Sequence, residues 1–300
     1  MSSSAVVTAT AQPLTKAGKS RGLYSDALRR FRRNRVALAG LIVLFLLILI
    51  AICAPLLALH DPTQFYFNHK LEAPSSVFPL GTDNLGRDVY SRMLYGSRIS
   101  LPTGLIAVGI ALLLGVPIGT VAGYFGKAVD TILMRGCDVV LAFPSILFAI
   151  WLISIFGPSL RNVMIAVGLF SVPSFARLVR STILSAKETD YITAERALGA
   201  GTFRILTRHI LPNVIQPVII IASLRVASAI LAAAGLSFLG LGVRPPTPEW
   251  GAMLSEGRAY LTIAWWVTFF PGLAIMITVL ATNMVGDGLR DALDPRQQGR

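Results

Sequence analysis

The sequence predicts an all-α protein that crosses a membrane six times, and two observations carry this fold class. Of the 300 residues, 54% are hydrophobic and only 14% are charged, whereas soluble domains carry about 25% charged residues. Mean hydropathy is +0.67. Six apolar segments approach the length of roughly 20 residues that a membrane helix needs; they cover 36–59, 101–124, 132–156, 162–179, 214–241 and 263–285. This composition excludes a disordered protein, a disulfide scaffold and an ordinary cytosolic enzyme.

The net charge of +12 is distributed as in a membrane protein. Eight Lys and Arg residues lie in 1–35, a basic cytoplasmic tail that ends where the first apolar run begins. Cytoplasmic segments next to membrane helices are rich in such residues and bind anionic lipid. With the N-terminus inside, 19 basic residues fall on the cytoplasmic side and seven on the outer side, which includes the loop 60–100. We therefore predict that both termini, including the tail 287–300, are cytoplasmic, and we expect no nucleic-acid partner.

The last five segments differ from the first because each contains a proline away from its ends. These prolines are Pro117, Pro144, Pro173, Pro217 and Pro271. A proline in a membrane helix frees a backbone carbonyl that a neighbouring helix or a water-filled cavity must satisfy, and small residues such as Gly104, Gly109, Gly115 and Gly119 let helices approach closely. We predict a moving core of five helices over 101–286, with the first helix at its periphery. For any single proline, an ordinary kink is the alternative.

The sequence contains no pattern typical of a metal site, a catalytic centre or a nucleotide site. Its few cysteines and histidines are far apart: Cys53, Cys137, His60, His69 and His209. Gly18-Lys19-Ser20 resembles the end of a P-loop, but Pro13 stands where that motif needs its first glycine. An enzyme within the membrane would need a cluster of reactive side chains. We expect no metal, catalytic residue or cofactor in this chain.

The longest cytoplasmic segment of the core, about 181–212, predicts two short helices that meet at Gly199. Each half has an apolar face of helical spacing, formed by Tyr191, Ala194 and Leu198 in the first half and by Phe203, Leu206 and Ile210 in the second. Gly199 and Gly201 are typical helix terminators. The spacing fits a helix that binds a groove of a partner protein and equally a helix that rests on lipid.

This segment resembles the EAA loop of binding-protein-dependent ABC import permeases, which in that family docks onto the ATPase. The family pattern is Glu-Ala-Ala, three residues, Gly, nine residues and Ile-x-Leu-Pro. Aligned on Gly199, it places Thr193-Ala194-Glu195 on the triplet and Leu211-Pro212 on the end. Thr193 and Glu195 depart from the usual Glu and Ala, and His209 takes the place of Ile. The resemblance implies these residues of an ATPase-coupling loop: Tyr191, Thr193, Ala194, Glu195, Gly199, Arg208, His209 and Pro212.

Three further stretches resemble the dipeptide and oligopeptide branch of this family, at 81–101, 236–251 and 286–295. The order of the motifs is most similar to that of the second permease type, the "C" subunit. The resemblance implies ATP-driven uptake of short peptides across a prokaryotic cytoplasmic membrane. It also implies a related permease as the second membrane half, two ATPases that bind ATP and Mg, and an extracytoplasmic binding protein.

Two alternatives to a peptide importer stay open at this point. Glutathione-type and nickel-type importers share much of the same pattern. An ion-coupled secondary transporter is a more distant alternative, and it would require more carboxylates inside the membrane segments.

Arg225 is the sharpest single candidate for a substrate contact. It lies about a dozen residues into the fifth segment, where a charge must be paired, hydrated or turned toward a cavity. An arginine suits the terminal carboxylate of a peptide. A structural bond to another helix or to a partner subunit is the alternative.

On the outer side, Asp83–Arg87 and Asp88–Arg92 have the i, i+4 spacing of ion pairs on a short interfacial helix. We expect packing and anchoring, rather than contact with substrate, as the role of these charges. Pro245 and Pro246 stiffen the last outer loop, and Trp250 fits an interfacial anchor. These three residues are candidates for an outer gate or for a surface that receives a binding protein.

Overall fold

The computed structural model describes residues 23–293, which form helices and connecting loops without strands. The rest of the basic tail, 1–22, with the P-loop-like Gly18-Lys19-Ser20, lies outside the described residues, as does the C-terminal stretch 294–300. The helices are α1 Leu23–Arg33, α2 Arg35–Leu57, α3 Val89–Phe125, α4 Lys127–Leu141, α5 Ser145–Phe156, α6 Leu160–Lys187, α7 Asp190–Ala197, α8 Thr202–Ile205, α9 Leu211–Phe238, α10 Trp250–Gly257 and α11 Trp266–Leu293.

The predicted all-α membrane fold is confirmed. Within the described part of the chain, α2, α3, α6, the run Thr202–Phe238 and α11 are each long and apolar enough to cross a membrane. A sixth crossing results if α4 and α5 together form one span. The first span, α2, begins at a cap in which the Asn34 side chain accepts from the backbone N–H groups of Val36 and Ala37, both at 3.1 Å. It packs on α11 and α3 at the edge of the bundle.

The third predicted segment, 132–156, is not one straight helix. It is divided at Pro144, and α4 and α5 meet at an angle of 92°. Proline lacks an N–H group, and it disfavours helical backbone in the residue before it, so the break falls at Pro144. With 12 residues α5 is about 18 Å long, which is too short to cross a hydrocarbon core of about 30 Å.

The helix α3 begins twelve residues before the predicted start of the second segment. Asp88 caps it, accepting from the N–H groups of Tyr90 at 3.2 Å and Ser91 at 3.1 Å. The separate interfacial helix expected around 83–93 is wrong: the chain from Thr82 to Asp88 forms a turn closed by a bridge between those two residues. The capping Asp88 explains the difference, because its side chain fixes the first turn of a helix that runs on into the membrane.

A stripe of glycines brings α3 and α6 into backbone contact. Gly115, Gly119 and Gly123 recur every four residues, a spacing typical of close helix pairs in membranes. A Cβ atom added at Gly115 would lie 2.9 Å from the Val172 carbonyl oxygen. A Cβ at Gly119 would clash with the Ala176 carbonyl oxygen and would lie 2.7 Å from Val179 Cβ. The expected role of small residues in close packing therefore applies to this stripe and to Gly104, which faces α9, but not to Gly109, which faces open space.

Substitution of alanine at Gly119 should destabilise the protein by about 1–3 kcal/mol, because the added Cβ atom must push the α6 backbone away. Gly109→Ala on the same helix is the matched control, since a Cβ there meets nothing within 4 Å. Thermal unfolding of the purified variants in one detergent measures the difference. Equal melting temperatures for the two variants would contradict the packing described here.

Candidate functional site

The segment between α6 and α9, predicted to be cytoplasmic, has the predicted helix-glycine-helix shape. Gly199 has a φ of +83°, a left-handed conformation that glycine adopts without strain. Its N–H donates to the Arg196 carbonyl and the Ala200 N–H donates to the Glu195 carbonyl, both at 3.0 Å. These two bonds form a Schellman motif, which ends α7 and turns the chain toward α8.

Three buried isoleucines fasten this loop to the membrane helices. Ile192 of α7 and Ile205 of α8 are buried, as is Ile210 just before α9. They pack with Val179 and Ile183 of α6. Burying an aliphatic side chain of this size stabilises a protein by about 1.5–3 kcal/mol. The loop is therefore held against the adjoining ends of α6 and α9.

Of the two apolar faces predicted from periodicity, the first is wrong in its direction and the second is right only in part, since Ile210 is buried and Leu206 packs partly buried beside it. Leu198 and Phe203 have 85% and 80% of their surfaces exposed, and Tyr191 and Ala194 are exposed as well. The side chain that α7 buries is Ile192, one position from the predicted face. The sequence of a short helix gives the spacing of its apolar residues but not the position of the helix that it packs on. The sequence therefore did not predict which face of α7 would contact α6. Leu198 and Phe203 thus form an exposed apolar pair at the tip of the loop.

Polar contacts join the two halves of the loop across Gly199. His209 Nε2 lies 3.6 Å from Glu195 Oε1, and Asn213 Nδ2 donates to the Tyr191 hydroxyl at 3.0 Å. The structure therefore brings Tyr191, Glu195 and His209 together on the inner side of the loop. The side chains of Thr193, Arg208 and Pro212 are exposed.

The residues Leu206–Ile210 form one π-helical turn that leads into α9. A π turn inside a helix is uncommon and often occurs at functional sites. Because it continues directly into Leu211, the loop and α9 form one uninterrupted run of helical backbone.

Arg225 lies at mid-length of α9 and lines a groove of about 580 Å³ between α5, α6 and α9. The walls are mostly apolar and small, with the serines Ser145, Ser171 and Ser228 among them. The Arg225 side chain is exposed, and its Nη2 donates to Ser174 Oγ at 3.0 Å. Among the residues placed by the structure it has no carboxylate partner. Its guanidinium therefore offers free donors to whatever enters the groove.

The charges at 83–92, which were predicted on the outer side, form a buried cluster, named the outer cluster below. Arg87 and Arg92 are fully buried, and Arg87 Nε donates to Asp83 Oδ2 at 2.6 Å. Glu256 Oε2 of α10 accepts from Nη2 of Arg87 at 2.5 Å and from Nη2 of Arg92 at 3.2 Å. The pair of Asp83 and Arg87 forms as predicted, but Arg92 pairs with Asp83 and Glu256 instead of Asp88. The spacing of nearby residues gave no sign of Glu256, a partner more than 160 residues away and on a helix that the sequence did not predict.

The outer loop contains one buried and two exposed candidates. Trp250 is buried, and its Nε1 donates to the Met93 carbonyl at 3.0 Å, so it is a core residue and not an interfacial anchor. Pro245 and Pro246 are exposed, and the Pro246 carbonyl accepts from Arg92 Nη1 at 3.1 Å. These residues follow α9, whereas the cytoplasmic loop precedes it, so some 28 residues or about 42 Å of helix separate the two groups.

Comparison with known proteins gives the family. The model of the binding-protein-dependent transport system inner membrane component matches residues 115–299. That match covers more than half of the chain and includes the loop and the groove. The chain belongs to this family. A second model, the N-terminal transmembrane domain of oligopeptide transport permease C, matches residues 22–74.

The alignments with two curated relatives cover nearly all of this chain. The dipeptide transport system permease protein of Alkalihalophilus pseudofirmus is 46% identical over 275 residues, which is 92% of this chain and 90% of the relative. The glutathione transport system permease protein of Pectobacterium atrosepticum is 47% identical over 285 residues, or 95% of each chain. Both relatives are named as permease proteins of transport systems.

Solved structures show the same fold for the permease core. An inward-facing form of the MetNI methionine ABC transporter has a TM-score of 0.54 at 18% identity and covers 68% of this chain and 96% of its own. An amino acid ABC transporter crystallised with histidines has a TM-score of 0.53 at 14% identity, over 66% of this chain and 92% of that one. At these identities the likeness concerns the fold alone.

No group of three or more His, Cys, Asp or Glu side chains within residues 23–293 could hold a metal ion. The clustered charges of this permease are instead the ion pairs described above, and their burial makes them sensitive to the loss of one partner.

Arg87→Met should destabilise the permease by about 3–5 kcal/mol, because it leaves the carboxylates of Asp83 and Glu256 without their buried partner. Arg177→Met is the matched control: Arg177 pairs with Asp138 at the same distance of 2.6 Å, but both side chains are about half exposed, and such pairs contribute about 0–1 kcal/mol. Thermal unfolding of both variants in detergent makes the comparison. A smaller loss for Arg87→Met than for Arg177→Met would mean that the outer cluster does not hold α3 and α10 together.

Proposed function

We propose that this permease is one membrane half of an ATP-driven importer that carries short peptides into a prokaryotic cell. The observation that carries the proposal is the exposed apolar pair Leu198 and Phe203, at the tip of a loop that is itself anchored to the core. Exposed apolar side chains of this size on a rigid support are typical of a protein-binding surface. In this family the natural partner for the loop is the ATPase.

The proposed mechanism passes from the ATPase through the loop to the groove. In this proposal ATP with Mg is bound by two partner ATPases and not by the permease. When these close on ATP, they displace α7 and the π turn; the buried isoleucines pass the displacement to α6 and α9. These two helices line the groove that contains Arg225. Their tilt switches the groove between the two sides of the membrane.

The groove provides half of a substrate path in this proposal. Its open side faces a related permease, which completes the cavity as the second membrane half. The free donors of Arg225 bind the terminal carboxylate of a peptide. The hydroxyls of Ser171 and Ser228 donate to carbonyls of their own helices, so their oxygens serve as acceptors for N–H groups of the peptide backbone. Small apolar walls discriminate poorly between side chains, so a range of short peptides is accepted; glutathione, itself a peptide with free carboxylates, is the alternative cargo that the 47% identical relative favours.

The orientation proposed places both termini and the coupling loop in the cytoplasm. The outer cluster, α10 and the residues Pro245 and Pro246 then face an extracytoplasmic binding protein that delivers the peptide. The excess of basic residues on the loop side supports this orientation.

Phe203→Asp should lower the amount of ATPase that co-purifies with the permease in mild detergent by at least about tenfold, because a charge replaces an apolar contact at the tip of the loop. Leu261→Asp is the matched control, an exposed leucine on an outer loop. Quantitative mass spectrometry of the purified complex measures ATPase per permease. An unchanged ratio for Phe203→Asp would contradict docking at this surface.

Arg225→Gln should lower peptide uptake about tenfold or more while the ATPases stay bound, because the carboxylate of the peptide loses its charged partner. Ser174→Ala removes only the internal hydrogen bond of Arg225 and should keep most of the uptake. The rate at which proteoliposomes that contain each variant take up a labelled dipeptide is measured. If Ser174→Ala causes the same loss as Arg225→Gln, the role of Arg225 is structural.

A further inference from the structure

We propose that a groove between α2, α3, α9 and α11 binds one phospholipid with an ethanolamine headgroup. The groove has a volume of about 550 Å³. Leu44, Ile48 and Ile52 of α2 form one wall, and Leu101 and Leu105 of α3 form another. It lies on the opposite face of α9 from Arg225, between the peripheral first span and the core, and it has no part in the substrate path proposed above.

The lining of this groove is apolar even where it contains hydroxyl groups. The Thr278 hydroxyl donates to the Ala274 carbonyl at 2.8 Å, and the Thr282 hydroxyl donates to the Thr278 carbonyl at 2.7 Å. Both donors are thus used within α11. An acyl chain meets no unsatisfied donor along these walls and buries its own surface, at about 0.8 kcal/mol per methylene group.

The groove opens beside the surface of the protein that faces the lipid. The outward side of α2 is exposed and wholly apolar, with Phe45, Leu49 and Leu56 among its residues. A chain from the adjoining bilayer therefore enters without leaving hydrocarbon. The length of α3 from Ser97 to Leu105 alone provides about 12 Å of wall, enough for roughly half of a long acyl chain.

At its outer end the groove carries an exposed arginine. Arg98 lines the groove, and its guanidinium carbon lies 5.9 Å from the centre of the Tyr95 ring. It forms no ion pair with any carboxylate that the structure describes. At the level of the headgroups such a cation binds the phosphate of a phospholipid.

The same arginine also lines a second cavity, of about 440 Å³, which contains Asp61. The Asp61 carboxylate accepts from the Thr63 hydroxyl at 2.5 Å and from the Thr63 N–H at 2.7 Å. These hydrogen bonds lower the pKa of Asp61, so it stays ionised. A cation and an anion in one cavity at the end of an apolar groove match the phosphate and the ammonium group of phosphatidylethanolamine.

The charges favour this lipid over a helix of a partner protein in the groove. A partner helix would have to cover Arg98 and Asp61 together with the apolar wall, and charged residues are depleted at the centres of protein interfaces.

The test measures lipid retention by the full-length permease with the subunits that co-purify in mild detergent. The preparation is delipidated and offered equal amounts of dioleoyl phosphatidylethanolamine, phosphatidylglycerol and phosphatidylcholine. After washing, mass spectrometry counts each lipid per permease chain. We expect about one phosphatidylethanolamine per chain and several-fold less of the other two lipids.

Three variants at exposed positions assign the parts of the site. Arg98→Gln should lower the retained phosphatidylethanolamine about tenfold, as expected for the loss of a charge-assisted hydrogen bond. Asp61→Asn should lower retention of phosphatidylethanolamine but not of phosphatidylglycerol. Ile52→Trp should fill the groove and lower retention of all three lipids.

Arg161→Gln is the matched control, since Arg161 is an exposed arginine that lines neither cavity, and it should retain as much lipid as the native chain. Melting temperatures of all variants verify that they are folded. Retention of the three lipids in equal amounts, or an unchanged lipid count in both Arg98→Gln and Ile52→Trp, would overturn the proposal. So would a native complex that retains no lipid, which would assign the groove to a partner subunit.

Discussion

The backbone contact between α3 and α6 is the constraint on which the rest of this permease depends. Lipid tails are as apolar as the helices, so burial of apolar surface gives little drive for helices to associate in a membrane. Close van der Waals contact has to supply that drive, and it is available only where no side chain intervenes. Gly115, Gly119 and Gly123 leave the α6 backbone within reach along two turns of helix. The groove of Arg225 and the anchor of the coupling loop are both built on α6, so their positions follow from this contact.

The fold could be predicted from the sequence because membrane helices are governed by local rules. A helix in a bilayer must satisfy its own backbone, so an apolar run of sufficient length has few alternatives. These local rules do not predict contacts between residues that are far apart in the sequence. Asp83 and Arg87 give no sign of Glu256, which buries them, and Trp250 gives no sign of Met93, to which its indole N–H donates. Pro144 was recognised as a proline within a span, but periodicity alone does not distinguish a kink from a right-angled break.

The loop between α6 and α9 also has one feature that the local sequence predicts and one that it does not. The Schellman turn at Gly199 depends on residues 195–200, so the sequence predicts it correctly. Whether α7 buries Ile192 or the face of Tyr191 and Leu198 depends on the position of α6. No local sequence pattern gives that position. This explains why the departures Thr193 and Glu195 from the family pattern leave the shape of the loop intact. Thr193 is exposed, and Glu195 contributes its backbone carbonyl to the turn whatever its side chain.

Because the π turn continues into α9 without a break, α9 can be treated as a rigid rod that tilts about the end next to the loop. From Leu211, Arg225 is 14 residues or about 21 Å away, and Phe238 is 27 residues or about 40 Å away. A tilt of about 10° pivoted at Leu211 would therefore carry Arg225 sideways by about 4 Å and the outer end by about 7 Å. The end of the helix that joins the outer loop must travel nearly twice as far as the middle. Gly251 of α10 lies against Ala234 and Ser237 near that end of α9, so α10, which carries Glu256 of the outer cluster, adjoins the part of the helix that such a tilt displaces most.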